Sequence, residues 1–335
     1  MSGSPLNTNP PAVSGSLRRL RSGRDSKTNA YRLVHGQADG WKDLYVDRLG
    51  DFLLMQSPLP LTEPQIDAAK DWKNALNLKG VYYKKLNRMV QTCTMTSASP
   101  RLVMGLEAPE VFDVLENGLT FRLSLNQGYS TGLFLDMREN RRRILRNRVE
   151  PGFPVFESAP ANASVLNCFS YTCAFSVCAA RAGAATTNLD LSRKYLDWGR
   201  GNMRRNGADP GHHDFIYGDA LDWMKRLAKR GDTHDLVILD PPTFSRSKKS
   251  VLFLAKRDFA SLAKAATQLV RNGGMLLACC NAAGLPGKKF KEDVRKGIRF
   301  GGRKTVRSFD ALQPPDFPAT AKEPAYLKVS WLRLD

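Results

Sequence analysis

The chain has 335 residues, with 51 Lys and Arg against 32 Asp and Glu and a formal net charge of +19. Its length admits one large domain or two ordinary ones, and 42% hydrophobic residues exclude global disorder. No apolar run approaches the ~20 residues that cross a bilayer. Six cysteines without repeating spacing argue against a disulfide scaffold and for a reducing, cytoplasmic compartment.

Such a charge attracts polyanions, of which nucleic acid is the commonest. A membrane surface ranks lower, because no basic amphipathic helix with a bulky apolar face stands out. Residues 1–28 are rich in Ser, Gly, Pro and Asn, then basic at Arg18, Arg19, Arg21, Arg24 and Lys27. That composition cannot offset its own ordering entropy, so a flexible basic tail is expected. An organelle-targeting leader is the lesser alternative.

Residues 29–108 read as a small α+β domain. Tyr31–Val34, Asp43–Arg48, Phe52–Gln56 and Val81–Lys84 have strand character. Pro64–Leu76 is helical, with Ile66, Ala69, Trp72 and Leu76 spaced for one buried face. The unit is too compact for a cofactor pocket of its own. His35, and His212-His213 further on, fall in expected loops exposed to solvent.

From 109 to 335 a larger domain is expected. A hairpin, Val111–Glu116 and Leu119–Leu125, turns at Asn117-Gly118, the strongest two-residue hairpin signal. A helix over Arg138–Arg148 and a Pro-, Ala- and Ser-rich connection over 150–163 follow. Then strands and helices alternate: Ser164–Cys168, Phe175–Ala182, Ala185–Asp190, Arg193–Asn206, Phe215–Tyr217, Ala220–Lys229, Leu236–Asp240, Leu254–Val270, Gly274–Cys279 and Lys288–Gly297. Thr305–Phe309 and Tyr326–Leu334 close the sheet. This pattern predicts an α/β fold, a doubly wound, mostly parallel sheet with helices on both faces. Its ligand is expected beyond the carboxyl ends of the strands.

The first of those strands ends in Asn167, and the turn Cys168–Ala174 contains no glycine. A pyrophosphate-binding turn is therefore excluded. The second ends in Asp190, placed to accept from the hydroxyls of a ribose. Asp219, after the third, suits an adenine amino group or a helix N-cap. The fourth ends in Asp240-Pro241-Pro242-Thr243-Phe244, where two prolines fix the backbone and remove two N–H donors. Adenosine-binding carboxylates without a phosphate loop describe S-adenosylmethionine.

Three runs, Leu166–Thr172, Asn188–Ser192 and Leu239–Lys249, resemble the bacterial large-subunit ribosomal RNA methyltransferases of the I and K types, class I methyltransferases with a Rossmann-like sheet. Thr131–Arg138 resembles the segment preceding that family's catalytic core. Tyr31–Gly36, Asp39-Gly40 and Val46–Asp51 resemble the small domain of type I members. The resemblance implies that Thr131, Gly132, Phe134 and Asp136 line the cofactor pocket, with Asn167, Phe169, Tyr171 and Thr172 at the methionine end. It implies Asp190 and Leu191 at the ribose, Asp219 and Ala220 at the adenine, and Asp240 with Pro241 by the methionine amino group and the target base. Phe244 would stack on that base. Cys173 and Ala174 depart from the pattern, replacing paired glycines, and are expected to crowd the pocket slightly.

Methylation of cytosine C5 needs a thiolate to add to C6, whereas guanine N7 already carries an in-plane lone pair and needs orientation. By this resemblance, type I members have their catalytic cysteine where this chain has Asn281, whereas type K members have an asparagine there. Cys280 is adjacent, but one residue along a strand reverses the side chain's direction. A nitrogen target is preferred. Cys168, Cys173 and Cys178 recur every five residues, which suits neither zinc nor redox chemistry, and no metal is expected. Arginines 141–148, the Arg246–Lys249 run and residues 288–307 are basic stretches suited to RNA phosphates.

The expected function is an S-adenosylmethionine-dependent RNA methyltransferase acting on large-subunit ribosomal RNA. The alternatives are an RNA-binding protein that has lost catalysis, and a DNA or protein methyltransferase. The oligomeric state is not legible.

Overall fold

The computed structural model describes residues 27–86, 99–128, 130–246 and 252–335. Apart from Lys27 and Thr28, the expected basic tail lies outside the described residues, as do Lys248 and Lys249. The chain divides into two compact units: residues 1–118, 123–135 and 315–324, and residues 119–122, 136–314 and 325–335.

Three segments expected in the larger domain, 109–118, 123–135 and 315–324, thus belong to the first unit. Polar anchoring explains 315–324. Asp316 Oδ2 accepts the Arg32 backbone N–H at 2.9 Å, and Glu323 Oε1 accepts from the Tyr45 hydroxyl at 3.0 Å. The Phe317 ring lies 4.5 Å from the Arg32 guanidinium carbon, a cation–π contact. The same segment buries His35, whose ring meets Tyr45 and Phe317 edge-on. His35 is therefore a core residue, contrary to expectation. His213 is also engaged, its Nδ1 accepting the Thr186 N–H at 3.2 Å.

The first unit carries a five-stranded sheet in the order β1 (Ala30–His35), β2 (Tyr45–Leu49), β3 (Phe52–Ser57), β4 (Gly80–Lys85) and β5 (Arg101–Gly105). Only β3 and β4 pair in parallel. The crossover between them is α1 (Glu63–Ala75), opened by a Thr62–Gln65 capping box and a proline in the first turn. Its Ala68, Ala69 and Trp72 pack on Leu33, Val46, Leu53 and Val81. The next two strands, β6 (Phe112–Glu116) and β7 (Leu119–Leu123), turn at Asn117-Gly118, both at positive φ, as a primed hairpin turn requires.

The second unit is built on a seven-stranded sheet. Its order is β10 (Asp214–Tyr217), β9 (Ala185–Asp190), β8 (Ser164–Cys168), β11 (His234–Leu239), β14 (Val270–Cys280), β16 (Lys328–Leu334), β15 (Thr305–Ala311). The first five are parallel, and β16 runs antiparallel to both neighbours. Leu236–Leu239 and Met275–Cys280 are fully buried, which is why these strands read as unbroken apolar runs. Between β11 and β14 lies a short antiparallel pair, β12 (Phe244–Arg246) and β13 (Leu252–Leu254), that the sequence did not announce.

One layer of helices holds α2 (Arg138–Leu145), α3 (Ala174–Ala182) and α4 (Arg193–Arg205). The other holds α5 (Ala220–Arg230), α6 (Ala255–Thr267) and α7 (Gly287–Phe300), whose Met224, Leu227, Leu262, Phe290 and Val294 share one core with β8, β11 and β14. Gly297 permits the close approach of α6 and α7, since a Cβ there would stand 2.4 Å from the Ala260 carbonyl oxygen. Among the described residues, no helix is long and apolar enough to cross a membrane.

Candidate active site

The residues singled out at the strand ends come together within the second unit. After β8 the chain passes through Phe169, Tyr171 and Cys173 at φ of 60°, 48° and 59°. Three left-handed non-glycine residues within five positions cost about 1–3 kcal/mol each, so neighbouring contacts must hold the turn. Asp190 supplies them from the end of β9. Its Oδ2 accepts the Tyr171 N–H at 2.8 Å, and its Oδ1 accepts the Ser192 N–H at 2.8 Å. The Ser170 N–H donates to the Leu189 carbonyl at 3.1 Å.

Burial pushes the Asp190 carboxyl up from its ordinary range, opposed by backbone N–H groups of Tyr171, Ser192 and Leu191. Three backbone donors leave one of the carboxylate's roughly four acceptor sites open, so the group that fixes the turn can also accept from a ribose hydroxyl. The Tyr171 ring is braced edge-on by Tyr195 at 4.5 Å between centroids.

The cysteine that replaces a family glycine is accommodated from the opposite helix. Cys173 is fully buried at the start of α3, and its Sγ occupies the space beside Gly199 of α4. A Cβ at Gly199 would stand 2.3 Å from that sulfur. Asn202, one turn further along α4, donates to the Thr172 carbonyl at 3.0 Å. The thiol thus points into the helix contact, which corrects the expectation that it crowds a pocket.

Asn167 is buried, and its Nδ2 donates to Ser176 Oγ at 2.8 Å. Its Oδ1 is also buried and meets no donor among the described residues. An unmet acceptor at a strand end is the position a ligand donor fills. Asp219 caps α5, accepting the Asp222 N–H at 3.1 Å, so the N-cap reading holds; Ala220 behind it is buried.

Asp240 closes β11, with Pro241 buried after it. Burial first, and the neighbouring Asp136 carboxylate second, push the Asp240 carboxyl up to about 7, with Arg141 opposing. Asp136 in turn accepts from the Tyr326 hydroxyl at 2.9 Å. Arg141 is 2% exposed and lies 5.8 Å from the Phe175 ring centroid. The sequence reading assigned Arg141 to a phosphate-binding run. Its spacing held the contrary signal, because Arg138, Arg141 and Ile144 share one face of α2 at i, i+3 steps, and that face is buried. Arg143 is spent on the Val149 carbonyl at 3.0 Å and Arg142 on Glu139. Tyr326 carried no sequence signal, lying 190 residues from its partner.

Beyond β14, Asn281 is exposed and its Oδ1 accepts from the Thr243 hydroxyl at 3.1 Å. Cys280 is fully buried in the core formed with Phe259, Leu262 and Phe290, and burial pushes its thiol up. Cys279, also fully buried, is raised well above an ordinary thiol by burial and then by Asp240. Neither favours the thiolate that nucleophilic attack requires. The Phe244 backbone belongs to β12, while its side chain lies outside the described residues. Thr131, Gly132 and Phe134 belong to the first unit, where the Thr131 carbonyl accepts the Ser124 N–H at 3.0 Å and Phe134 is exposed.

A parallel sheet with one inserted antiparallel strand, acidic side chains at successive strand ends and no glycine turn for phosphates defines a nucleoside-dependent group transferase of the methyltransferase class. The profile of the S-adenosylmethionine-dependent methyltransferases matches residues 31–329, and the chain belongs to that family of enzymes. It is 29% identical over 311 residues to a ribosomal RNA large subunit methyltransferase of Deinococcus radiodurans, covering 92% of this chain and 73% of that protein. It is 29% identical over 303 residues to ribosomal RNA large subunit methyltransferase I of Escherichia coli, covering 90% and 73%. The crystal structure of SMU.776 complexed with SAH superposes with a TM-score of 0.78 at 29% identity, covering 99% of this chain and 83% of that one.

S-adenosylmethionine fits the residues present. Asn167 Oδ1 and the remaining acceptor site of Asp190 suit its donors. Asp136, Asp240 and Arg141 together leave one negative charge, when both carboxyls ionise, for a molecule bearing an ammonium and a sulfonium.

Proposed function

We propose that this enzyme methylates a base of large-subunit ribosomal RNA, in the cytoplasm, at a ring nitrogen, with guanine N7 the target. The observation that carries the nitrogen reading is the contrast at the end of β14. Asn281 faces outward and is bonded to Thr243, while Cys279 and Cys280 are buried with raised thiols. A lone pair on guanine N7 needs neither covalent activation nor removal of a ring proton. Positioning then supplies the rate, by holding donor and acceptor in line.

S-adenosylmethionine supplies the methyl group. Asp190 holds the ribose, Asp219 with Ala220 borders the adenine, and Asn167 accepts from the methionine end. Asp240, with Asp136 and Arg141 beside it, takes the amino group and orients the base. The family motif supports Phe244 as the stacking surface. The base must be single-stranded or extruded to reach the methyl group.

The test is transfer of labelled methyl to unmodified large-subunit ribosomal RNA, followed by nucleoside mass spectrometry. Label in 7-methylguanosine is the expected result. Label in 5-methylcytidine refutes the nitrogen reading. Cofactor binding without labelling of any RNA refutes the enzymatic role on this substrate and favours a binding protein.

A further inference from the structure

The layer α5–α6–α7 carries 13 Lys and Arg against 4 Asp and Glu, a net +9 of the chain's +19. The apolar stripes of the three helices are turned into one core, through residues such as Met224, Phe259, Leu262 and Val294. Their charged stripes are therefore turned outward together. Lys225, Lys229 and Lys264 are exposed, and among the described residues none of them meets a carboxylate. The same holds for Arg299 on α7, while Arg295 stands near Asp310, which pairs with Lys291, Arg230 pairs with Asp232, and Lys296 lies over the Phe300 ring at 5.4 Å. Of the four acids, Asp258 is tied to Arg257 and Asp293 to Lys289, Asp222 is half-buried, and Glu292 is exposed.

The opposite layer, α2–α3–α4, is also basic, but its cations are largely consumed. Arg138 and Arg141 are buried, Arg142 pairs with Glu139, Arg200 with Asp197, and Arg205 bonds the Gly201 carbonyl. Surplus exposed positive charge is thus concentrated on one face of the sheet.

That face begins at the site. Helices following parallel strands start at the strands' carboxyl ends, so Lys256 and Lys288 stand at the end where Asp240 and Asn281 lie. Lys229, Lys264 and Arg299 stand towards the other end. At 1.5 Å per residue the strip runs about 20 Å away from the site. Its surface offers cations and few rings: Phe300 is the one exposed aromatic among the described side chains of the three helices. Single strands are gripped by stacking platforms, whereas an RNA duplex is held through phosphates and shape.

We infer that the outer face of α5–α6–α7 is the docking surface for a double-helical RNA stem adjoining the target nucleotide. This rests on the RNA reading above and names the part of the substrate that the protein grips. The unpaired base enters at the strand ends, and the stem lies along the three helices.

The test compares two triple charge reversals of equal size. Lys229→Glu/Lys264→Glu/Lys296→Glu alters the proposed face, and Arg181→Glu/Lys194→Glu/Arg204→Glu alters the opposite layer. Both are first checked for an unchanged melting temperature and unchanged S-adenosylmethionine affinity. Binding to a 20-base-pair RNA duplex and to a 20-residue oligouridine is then measured between 50 and 200 mM salt.

The face variant is expected to lose duplex affinity by roughly tenfold or more, and its log–log salt slope should fall by roughly one per lost phosphate contact. With unmodified large-subunit ribosomal RNA as substrate, its KM rises while kcat holds. Equal losses in the two variants overturn the proposal, as does wild-type preference for oligouridine over duplex. If wild type labels no ribosomal RNA, the substrate reading itself fails. If wild type labels it and the face variant keeps both KM and duplex affinity, only the docking surface fails.

Discussion

With Asp240 placed at the cofactor's amino group as proposed, its raised carboxyl should make cofactor affinity a function of pH in the physiological range. Desolvation first, and the nearby Asp136 carboxylate second, push this half-buried carboxyl up to about 7. An ammonium bound beside it favours the ionised form, which returns the carboxyl towards its ordinary range, so binding releases a proton. Affinity is then weaker by a factor of 1 + 10^(7 − pH), about 11 at pH 6 and about 1.1 at pH 8. S-adenosylmethionine should therefore bind about tenfold more tightly at pH 8 than at pH 6, a difference of about 1.4 kcal/mol. Titration calorimetry in two buffers of different ionisation enthalpy measures both the affinity and the proton released. Asp240→Asn should bind weakly and with little pH dependence over that range. The stability sign is opposite. A carboxyl whose folded pKa is raised costs the folded state more as pH climbs from the unfolded value to about 7. Asp240→Asn should accordingly raise the apo melting temperature at pH 8 and leave it nearly unchanged at pH 4. A flat affinity profile in the wild type, or parallel profiles in both proteins, refutes the placement of Asp240 at the cofactor's amino group.

Gly199→Ala should lower stability by about 1–3 kcal/mol, the range for overpacking a buried contact, because the new methyl meets Cys173 Sγ. In a Cys173→Gly background the same substitution should cost less than about 1 kcal/mol, so a double-mutant cycle by chemical denaturation checks the coupling; additivity refutes it. Asp190→Ala removes both the brace of a strained turn and the acceptor proposed for the ribose. S-adenosylmethionine affinity should fall roughly 10–100-fold, for one or two hydrogen bonds to a charged group; an unchanged dissociation constant removes Asp190 from the site. Cys280→Ser should keep kcat within about threefold, since the thiol lies in the core. A loss beyond ~10³-fold, of the scale produced when a nucleophile is removed, identifies a covalent mechanism.

The parallel sheet was legible because each of its central strands is buried on both faces, so Leu236–Leu239 and Met275–Cys280 present as apolar runs with no competing periodicity. The position of Asp240 at the carboxyl edge of the sheet was legible for a related reason, because it directly follows such a run. What escaped reading depended on contacts between distant parts of the chain. Nothing near His35 foretells Phe317, and nothing near Asp136 foretells Tyr326, because each partner arrives from almost 200 residues away or more. The departure at Cys173 illustrates the same limit at a functional turn. Read locally, a β-to-α turn that trades glycine for cysteine looks impaired, since a side chain must enter both an unfavourable φ and a closely packed space. The structure resolves each half by different means. Hydrogen bonds donated by the backbone to Asp190 hold the unusual turn, and the missing Cβ at Gly199, 26 positions away, makes room for the sulfur. A glycine lost from a turn can thus be replaced by one on the facing helix, and the sequence pair to examine is 173 with 199 rather than 173 with 174.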